Sequence, residues 1–399
     1  MSHKFLATLF SLGFFLALPV FASPVAAAED SLSSRVANLE AGWGHLSLGG
    51  EFILQGEIYH GKPFSSELEN GNRLIPGGRQ ELKLKLGAQV SPQLSGQIIL
   101  ANQGFWGVSQ PSDGNIDKPP LIAPFLIDEA VARYQRPNFL GDFGRFYFTL
   151  DPMGLIADHS SYPIEGIALQ TSLGHVYLGG YYSRLSSFYQ PGNLHITATD
   201  DELALRIALP RPKYLLGLTW VPTSLAKDTA LAVDFSGWLG KMGLQTSLAW
   251  YKPSPDNYVE YTHDGAWGFL ANLGILAEET RSLNMKIGYF QAGFTPTFSR
   301  LAHAVVGDGG EPFSPNTKGL AFTYQQALTA KWSIIGEISF LSPVDESIMT
   351  EAGKQTMADW RITAVRHISP NAYLELGYDS DDTALGRYGR IFTGLNMRF

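Results

Sequence analysis

Apolar and polar side chains alternate residue by residue through most of this chain, and this period of two limits what the chain can fold into. The alternation is cleanest in residues 81–90, where three leucines are separated by Lys83 and Lys85. Successive side chains of a β-strand point to opposite faces, whereas a helix would scatter these leucines around its axis. The chain is therefore predicted to be all-β, built from strands with one apolar and one polar face.

The same alternation recurs to the end of the chain. It is found at residues 46–58, 129–134, 145–150, 202–207, 332–338 and 359–363. Many of these strands reach about ten residues, the length that a tilted strand needs to cross a bilayer. Short connections made of turn residues alternate with long ones, which is not typical of a soluble sandwich. No linker or fixed repeat divides the chain.

The composition excludes several classes of protein. The 399 residues include no Cys, which excludes disulfides, thiolate metal sites and haem attached through cysteine. The net charge is -8, so the basic footprint of a nucleic-acid-binding protein is missing. Beyond residue 28 the sequence has no run of about 20 apolar residues, which excludes helices that cross a membrane.

The first residues predict export. Lys4 precedes an apolar run at residues 5–22, and three alanines stand before Glu29. This is the pattern of a secretory signal peptide. We predict a cleaved signal peptide at residues 1–28, with cleavage after Ala22 as the alternative. An uncleaved anchor helix is disfavoured by Pro19. Residues 29–42 are predicted to form a short periplasmic segment, and residues 43–399 the folded domain.

An exported chain of two-faced strands predicts a closed, antiparallel, up-and-down transmembrane β-barrel. An open strand edge would leave backbone groups unpaired in the bilayer, at several kcal/mol each. All short turns must then lie at one end, which requires the weak segment 267–273 to be a strand and residues 277–280 its tight turn. The count becomes about 18 strands, even as in single-chain bacterial barrels. If the weak segment is a helix in a long loop, the count is about 16.

The last strand, residues 389–399, ends in Phe399, with Ile391, Leu395 and Met397 on the same face. It resembles the closing strand of bacterial outer-membrane β-barrel porins, general or solute-specific, and residues 129–134 and 144–150 resemble porin strands. The resemblance implies a place in the outer membrane of a Gram-negative cell, in contact with its lipid. It also implies that Phe399 is an assembly signal for the barrel-assembly machinery, and that barrels associate as a homotrimer.

Barrel size leads to the functional prediction. Barrels of about 16–18 strands leave an aqueous lumen, and the porin resemblance implies passive diffusion of small hydrophilic solutes and ions. We expect no catalytic residue, cofactor or metal. One alternative is a barrel that sheathes a partner protein, as an electron-transfer or export conduit. Another is an outer-membrane hydrolase, which the scattered His residues disfavour. Asp379 with Asp381 and Asp382 could hold a cation, but a solvated loop is favoured.

The charged residues opposite the apolar stripes are predicted to line the pore. Those singled out are Lys83, Lys85, Arg133, Arg145, Arg206, Lys286, Arg361, Arg390, Glu51, Glu129, Glu337, Asp359 and Glu375. With further charges on these faces, bases and acids number about nine each, which predicts weak ion selectivity. The alternative is that each charge pairs with a neighbour and only solvates the wall. Arg133 and Arg145, joined by the turn at residues 137–142, are hypothesised to form an anion-attracting patch.

Three long loops are candidates for a constriction of the pore. Residues 151–162 follow the fifth predicted strand, where general porins place their inward loop. Residues 103–125 are more apolar than a freely solvated loop should be, and burial against the inner wall or a trimer contact would explain this. Residues 293–317 form the longest loop. The first two are favoured equally.

Overall fold

The backbone pairing closes the chain into a cylinder. The computed structural model describes residues 46–61, 75–107, 121–122, 125–185, 201–223, 228–253, 265–296, 312–345, 357–383 and 386–399. These ranges contain 19 strands. One of them, β4, has only two residues, and the other 18 form the barrel. The predicted signal peptide and the segment at residues 29–42 lie outside the described residues, so both stay predictions.

The strands are bounded as follows: β1 Leu46–Gly61, β2 Ile75–Gln89, β3 Leu94–Gly107, β4 Leu121–Ile122, β5 Leu126–Arg136, β6 Phe139–Thr149, β7 Asp158–Leu173, β8 Val176–Leu185, β9 Glu202–Arg211, β10 Tyr214–Thr223, β11 Thr229–Leu239, β12 Met242–Lys252, β13 Ala266–Ala277, β14 Arg281–Phe290, β15 Thr317–Thr329, β16 Trp332–Pro343, β17 Met357–Ser369, β18 Ala372–Thr383 and β19 Gly386–Arg398. The long strands alternate in side-chain exposure, as the sequence pattern requires.

Each long strand pairs antiparallel with the next, β3 with β5, and β19 with β1. Beyond the last ladder residue, Gly50 N donates to Phe399 O at 2.8 Å and Phe399 N donates to Gly50 O at 3.0 Å. The described long strands therefore have no unpaired edge, which is what a bilayer demands. The predicted barrel of about 18 strands is confirmed, and the alternative of 16 is wrong because the weak segment is strand β13.

The two ends of the cylinder differ in their connections. Short turns join β2 to β3, β5 to β6, and every later odd-numbered strand from β7 to the strand that follows it, up to β17 and β18. We call this the short-turn end, and the C-terminal Phe399 lies there. The opposite end, which we call the long-loop end, carries the longer connections, together with the two-residue connection between β18 and β19. Among the described residues, no helix is long and apolar enough to cross a membrane.

The outer face of the cylinder is apolar. Leu218, Val233 and Leu248 are among the large hydrophobic side chains that project outward and are exposed. Exposed Trp220 and Trp267 lie near the long-loop end, and further exposed tryptophans lie at both ends. Aromatic rings at both rims are typical of barrels in membranes because the rings are apolar with polar edges.

The buried apolar cluster lies on the inner face of the cylinder. It is formed by inward residues of the strands from β5 to β16, seven of them alanines, and by the connections between β6 and β7 and between β14 and β15. A barrel of this size would be hollow if only its strands filled it. Segments from the long-loop end therefore fill part of the interior.

Candidate pore lining

The register decides which side chains face the interior. On each strand, the side chains that point away from the exposed apolar stripe lie on the same face of the sheet as those of their cross-strand partners. This places the predicted lining residues on the inner face, except for Arg145. Arg145 follows Gly144, whose φ is 120°, so the simple alternation does not assign its direction.

Acidic and basic residues alternate along one row of the inner face. Glu337 is opposite Arg361, Arg361 opposite Asp379, and Asp379 opposite Arg390. Arg390 Nη2 donates to Asp379 Oδ2 at 2.6 Å and Arg390 Nη1 donates to Glu57 Oε2 at 3.2 Å. The Arg361–Glu337 pair is looser, at 4.0 Å. We call Glu337, Arg361, Asp379 and Arg390 the charged row, and the inner faces of β16–β19, β1 and β2 the charged wall.

A buried aromatic ring fixes the two arginines of this row. Phe392 is 1% exposed, and the guanidinium carbons of Arg361 and Arg390 lie 4.4 and 5.3 Å from its ring centroid. Cations are attracted to the negative face of an aromatic ring. Phe392 therefore contacts two like charges, on β17 and β19, the strands on either side of β18.

A second group of charges surrounds Lys83 near the middle of β2. Lys83 Nζ lies 3.0 Å from Glu81 and 3.8 Å from Asp128, and the Tyr147 hydroxyl donates to Asp128 at 2.5 Å. Glu51, which is opposite Lys83, binds Arg398 at 3.2 Å. Each basic side chain on this part of the wall thus lies next to an acidic one. The local electric field is therefore that of paired opposite charges, and neither sign dominates.

The hypothesised patch of Arg133 and Arg145 is neutralised by carboxylates. Arg133 donates to both oxygens of Asp142, at 2.6 and 2.9 Å. Arg145 pairs with Glu165 at 2.5 Å and also donates to the Asp128 carbonyl at 3.1 Å. Each arginine therefore presents a bound ion pair rather than a free positive charge.

The remaining predicted lining residues have intermediate or high exposure. Glu129 accepts a hydrogen bond from Gln97 at 2.7 Å. Lys85 is exposed, and Lys286, Asp359 and Glu375 are half-buried on the inner face. Their exposure is compatible with contact to a solvated lumen.

Two predicted lining residues, Arg206 and Arg390, require a correction. Both side chains are on the inner face, but each residue is only 5% exposed. Arg206 donates to both oxygens of Asp234, at 2.5 and 2.7 Å, and to Thr219 at 2.8 Å. Neither arginine can contact a solute, because each guanidinium is buried and its charge is paired with that of a carboxylate.

The guanidinium of Arg206 lies flat over Gly217. A Cβ atom built on Gly217 would collide with this guanidinium and come within 2.7 Å of Asp234. Glycine is thus required here for space, since its φ is not among the positive values. Arg206, Asp234 and Gly217 form one fitted unit across β9, β10 and β11.

The connection between β6 and β7 folds against this unit. From Asp151 to Ala157 every residue except Pro152 is buried, and we call residues 150–157 the inward segment. Leu155 is 0% exposed and belongs to the same apolar cluster as Ala204 and Ala232 of the wall. Of the three constriction candidates, the loop at 151–162 therefore contributes this buried segment, while its later residues belong to β7.

Asp151 organises the turn of the inward segment. Its carboxylate accepts hydrogen bonds from Met153 N at 3.1 Å and Leu155 N at 2.7 Å, and Gly154 has a φ of 69°. Burial raises the pKa of the Asp151 carboxyl to about 6, opposed by these two backbone donors. Asp234 and Arg206 also act on it through space, so the segment is electrically coupled to the buried pair.

The loop at 293–317 also contributes buried side chains. Phe294 and Phe313, near its two ends, pack on Phe290, with ring centroids 5.7 and 5.9 Å apart. A Cβ atom on Gly288 would lie 2.5 Å from the Phe313 ring. These rings fill the inner face of β12–β14, and residues 297–311 lie outside the described residues.

The loop at 103–125 is described only at its ends. Strand β4 pairs with β3 through Gly104–Ile122 and Phe105–Leu121, so these ends extend the sheet. Phe125 is exposed, and residues 108–120 lie outside the described range. We call the inner faces of β7–β14, with the inward segment and the phenylalanines against them, the packed wall.

A buried polar group that the sequence did not predict lies beside the inward segment. Tyr181 donates to Glu202 at 2.5 Å, and His159 Nε2 lies 3.0 Å from the Tyr181 hydroxyl. All three side chains are at most 1% exposed. Glu202 lies four residues before Arg206 on β9, so the alternation in the sequence indicated that its side chain faces inward. The burial of His159 depends instead on the connection between β6 and β7.

The minor motifs lead to no site in the part of the chain that is described. No group of three or more His, Asp and Glu side chains there could hold a metal ion. Asp379 is bound to Arg390, so it is a wall residue rather than a solvated loop residue.

Comparisons with known proteins place this fold among bacterial outer-membrane barrels. No family model matches the sequence, and no curated protein matches it. Solved structures do match: OccK7 (OpdD) of Pseudomonas aeruginosa, with a TM-score of 0.60 and 8% identity, is similar over 89% of this chain and 98% of its own. The outer membrane protein OpdK of the same organism has a TM-score of 0.58 and 9% identity, over 88% and 99%.

These likenesses concern the fold alone, since only 8–9% of the residues are identical. The architecture is that of bacterial outer-membrane porins: a closed antiparallel barrel of 18 strands. In such barrels the short turns face the periplasm and the longer loops face the outside. The predicted resemblance to porins is thus confirmed at the level of architecture.

Proposed function

We propose that this chain is an outer-membrane porin, a water-filled channel through which small hydrophilic solutes and ions diffuse passively. The observation that carries the proposal is the closed cylinder with an apolar outer face and the charged row on its inner face. A barrel of about 18 strands encloses an aqueous lumen unless it is plugged. The packed wall occupies one side of the interior, and the charged wall offers the other side to solutes.

The proposed lining follows from exposure. It consists of Lys83, Lys85, Arg133, Arg145, Lys286, Arg361, Glu51, Glu129, Glu337, Asp359 and Glu375. Arg206 and Arg390 are instead buried, and their ion pairs stabilise the wall. The inward segment at residues 150–157 narrows the lumen from the packed side. Paired charges of both signs favour weak overall ion selectivity.

Solute permeation tests this function directly. The purified barrel, inserted into liposomes, should let sugars, amino acids and anions of graded size enter and swell the vesicles. Planar bilayers should show stepwise ion conductance. The complete absence of both would contradict the proposal. Lipase and protease assays and a search for a stoichiometric partner in mild detergent test the hydrolase and sheath alternatives.

A compared structure suggests the first organic anion to examine. OpdK has been solved with vanillate, an aromatic carboxylate. In the present chain, Arg361 faces the interior with its partner Glu337 at 4.0 Å, loose enough to exchange that partner for a solute carboxylate. Vanillate should therefore reduce the ion current of the wild type more than that of the Arg361→Gln variant.

Assembly is a separate part of the proposal. Phe399 joins β1 by two backbone hydrogen bonds and its side chain remains 62% exposed, so the ring is accessible to the barrel-assembly machinery. Phe399→Ala should lower insertion into the outer membrane, and Phe399→Trp should preserve it. Equal insertion of both variants would contradict this role. Light scattering of the detergent-solubilised barrel tests association as a homotrimer.

A further inference from the structure

A cavity opens at the short-turn end of β9–β14, on the side away from the packed phenylalanines. Its volume is about 510 Å³, within the range of about 300–1,000 Å³ that is typical of small-molecule sites. Its inner-face lining includes Trp238, Gly243, Gln245, Asn272, Gly274 and Asn284. None of these residues belongs to the predicted pore lining.

The floor of the cavity is made of two glycines. Gly243 and Gly274 are direct partners across β12 and β13. A Cβ atom on Gly243 would have a single heavy atom within 4 Å, a Trp238 ring carbon at 3.9 Å. Neither glycine has a positive φ, so the backbone does not require them. Glycine inside a strand often marks the close approach of a ligand, and here it leaves room for one.

Three amide side chains surround this floor. Gln245 is opposite Asn272, and Asn284 is opposite Gly274. The Asn272 side-chain oxygen is buried and accepts no hydrogen bond. A buried acceptor without a donor is uncommon in folded proteins, and an incoming hydroxyl group would supply that donor. Amides both donate and accept, as sugar hydroxyls do.

Trp238 supplies an apolar surface beside the amides. Trp238 lies four residues after Asp234 on β11, so both side chains point to the inner face, where Trp238 is next to its cross-strand partner Gly243. The Trp238 side chain is nevertheless 65% exposed. An indole ring combines a large apolar face with one polar edge. Such a face packs against the C–H bonds of a pyranose while the amides bind its hydroxyl groups.

We infer that this cavity is a subsite for a neutral, hydroxylated ring, such as one monosaccharide unit, at the periplasmic mouth of the channel; the inference rests on the proposed channel function. A hydroxyl can donate to the Asn272 oxygen, whereas a carboxylate cannot. The cations of the lining, Arg211 and Lys213, lie in or next to the exposed turn at its rim. The charged row belongs to the other wall.

Ion-current measurements in planar bilayers test the subsite. D-glucose added on the short-turn side should reduce the wild-type current in a saturable manner. Trp238→Ala should raise the apparent dissociation constant about tenfold, since an aromatic anchor and its packing are lost. Gly243→Leu should remove the glucose effect because the side chain fills the floor. Gluconate, which has the same number of carbons and a carboxylate, should be bound more weakly than glucose.

Matched variants separate the cavity from general effects on the barrel. Trp332→Ala removes an exposed tryptophan at the same end but on the outer face. Gly336→Leu adds a side chain where nothing lies within 4 Å of the new Cβ, also on the outer face. Both should respond to glucose as the wild type does.

Two outcomes would overturn the subsite: an equal glucose response in Trp238→Ala and Trp332→Ala, or tighter block by gluconate than by glucose. If the wild type carries no current at all, the channel proposal fails instead. Calorimetric titration of the purified barrel with D-glucose then decides the subsite by itself, and the absence of binding there would overturn it as well.

Discussion

The charged wall and the packed wall arise from the same alternation of side chains, yet they bury opposite kinds of residue. On the charged wall, inner positions carry the charged row, and Phe392 packs beneath its arginines. On the packed wall, inner positions carry small residues such as Ala204, Ala232 and Ala249, all 0% exposed. Large side chains from the loops lie on those alanines. Parity thus decides which way a residue points, while its size decides what can cover it.

Ion pairs therefore have different roles on the two walls of the barrel. Where loops cover the wall, the Arg206–Asp234 pair is buried and can only stabilise the structure. Where the wall is open, pairs such as Arg398–Glu51 keep contact with solvent, with 71% of the Arg398 side chain exposed. The same substitution should therefore affect stability on one wall and ion flow on the other.

The largest effect should come from Arg206→Ala. Removing this guanidinium leaves Asp234 buried without its partner, which lowers the free energy of unfolding by about 3–5 kcal/mol. Urea unfolding of the barrel in lipid vesicles measures this change. The control is Arg398→Ala on the charged wall, because its ion pair with Glu51 is largely exposed, with 71% of the Arg398 side chain accessible, and such a pair contributes about 1 kcal/mol or less. Equal losses in both variants would remove the distinction between the walls.

A somewhat smaller effect should follow from Leu155→Ala in the inward segment. The truncated side chain leaves a cavity beneath the segment, at about 2–4 kcal/mol for a fully buried leucine. The segment should detach from the packed wall more often, so single-channel conductance should rise and become noisier. Pro152→Ala, at the exposed residue of the same segment, should leave conductance unchanged. A conductance of Leu155→Ala equal to that of the wild type would show that the segment does not narrow the lumen.

Asp151 should give the inward segment on the packed wall a characteristic pH dependence of stability. Its pKa is raised from 3.8 to about 6 by burial, so the folded protein keeps this proton to a higher pH than the unfolded chain does. The contribution of Asp151 therefore becomes unfavourable as pH rises through this window, by about 3 kcal/mol in total, and stays so above pH 6.

Asp151→Asn cannot titrate and should lose this component. The free energy of unfolding of the variant, relative to that of the wild type, should increase by about 3 kcal/mol between pH 4 and pH 7. Loss of one side-chain oxygen that accepts from a backbone N–H shifts the free energy of unfolding of the variant by a constant amount at every pH, so the slope is the readout. Parallel pH profiles for the two proteins would contradict the buried, raised-pKa state of Asp151.

The architecture was predictable from sequence because the alternation of apolar and polar residues can be read within each strand separately. Closure of the barrel then requires all the short turns to lie at one end. The segment at residues 267–273 has weak alternation, but the turns could be placed at one end only if it was a strand, and β13 confirms this. Arg206 lies on the inner face, and the alternation within its own strand is enough to indicate that direction. Its burial depends on Leu155 and the rest of the inward segment, which come from a distant part of the chain.

Some signals were present in the sequence but were not used. Alanines recur at inner positions of β9, β11, β12 and β13, for example Ala204, Ala232 and Ala249, although an open pore wall would carry polar residues there. Small residues at these positions predict that something packs on them. The parity of Trp238 likewise placed it inside. The φ of 120° at Gly144, by contrast, leaves no sequence signal beyond the glycine itself.

The smallest effect should be on ion selectivity, at the patch formed by Arg133 and Arg145. Because Asp142 and Glu165 already bind these arginines, replacing both arginines by alanine removes little net field and uncovers two carboxylates. Removing the carboxylates instead, with Asp142→Asn and Glu165→Gln, uncovers two positive charges. Because each double variant changes only two of the many charges on the inner face, both shifts in reversal potential in a salt gradient should be small. They should have opposite signs, the first toward cations and the second toward anions. Shifts of the same sign would mean that these pairs do not face the ion path, and the charged side of the lumen would then be limited to the wall from β16 to β2.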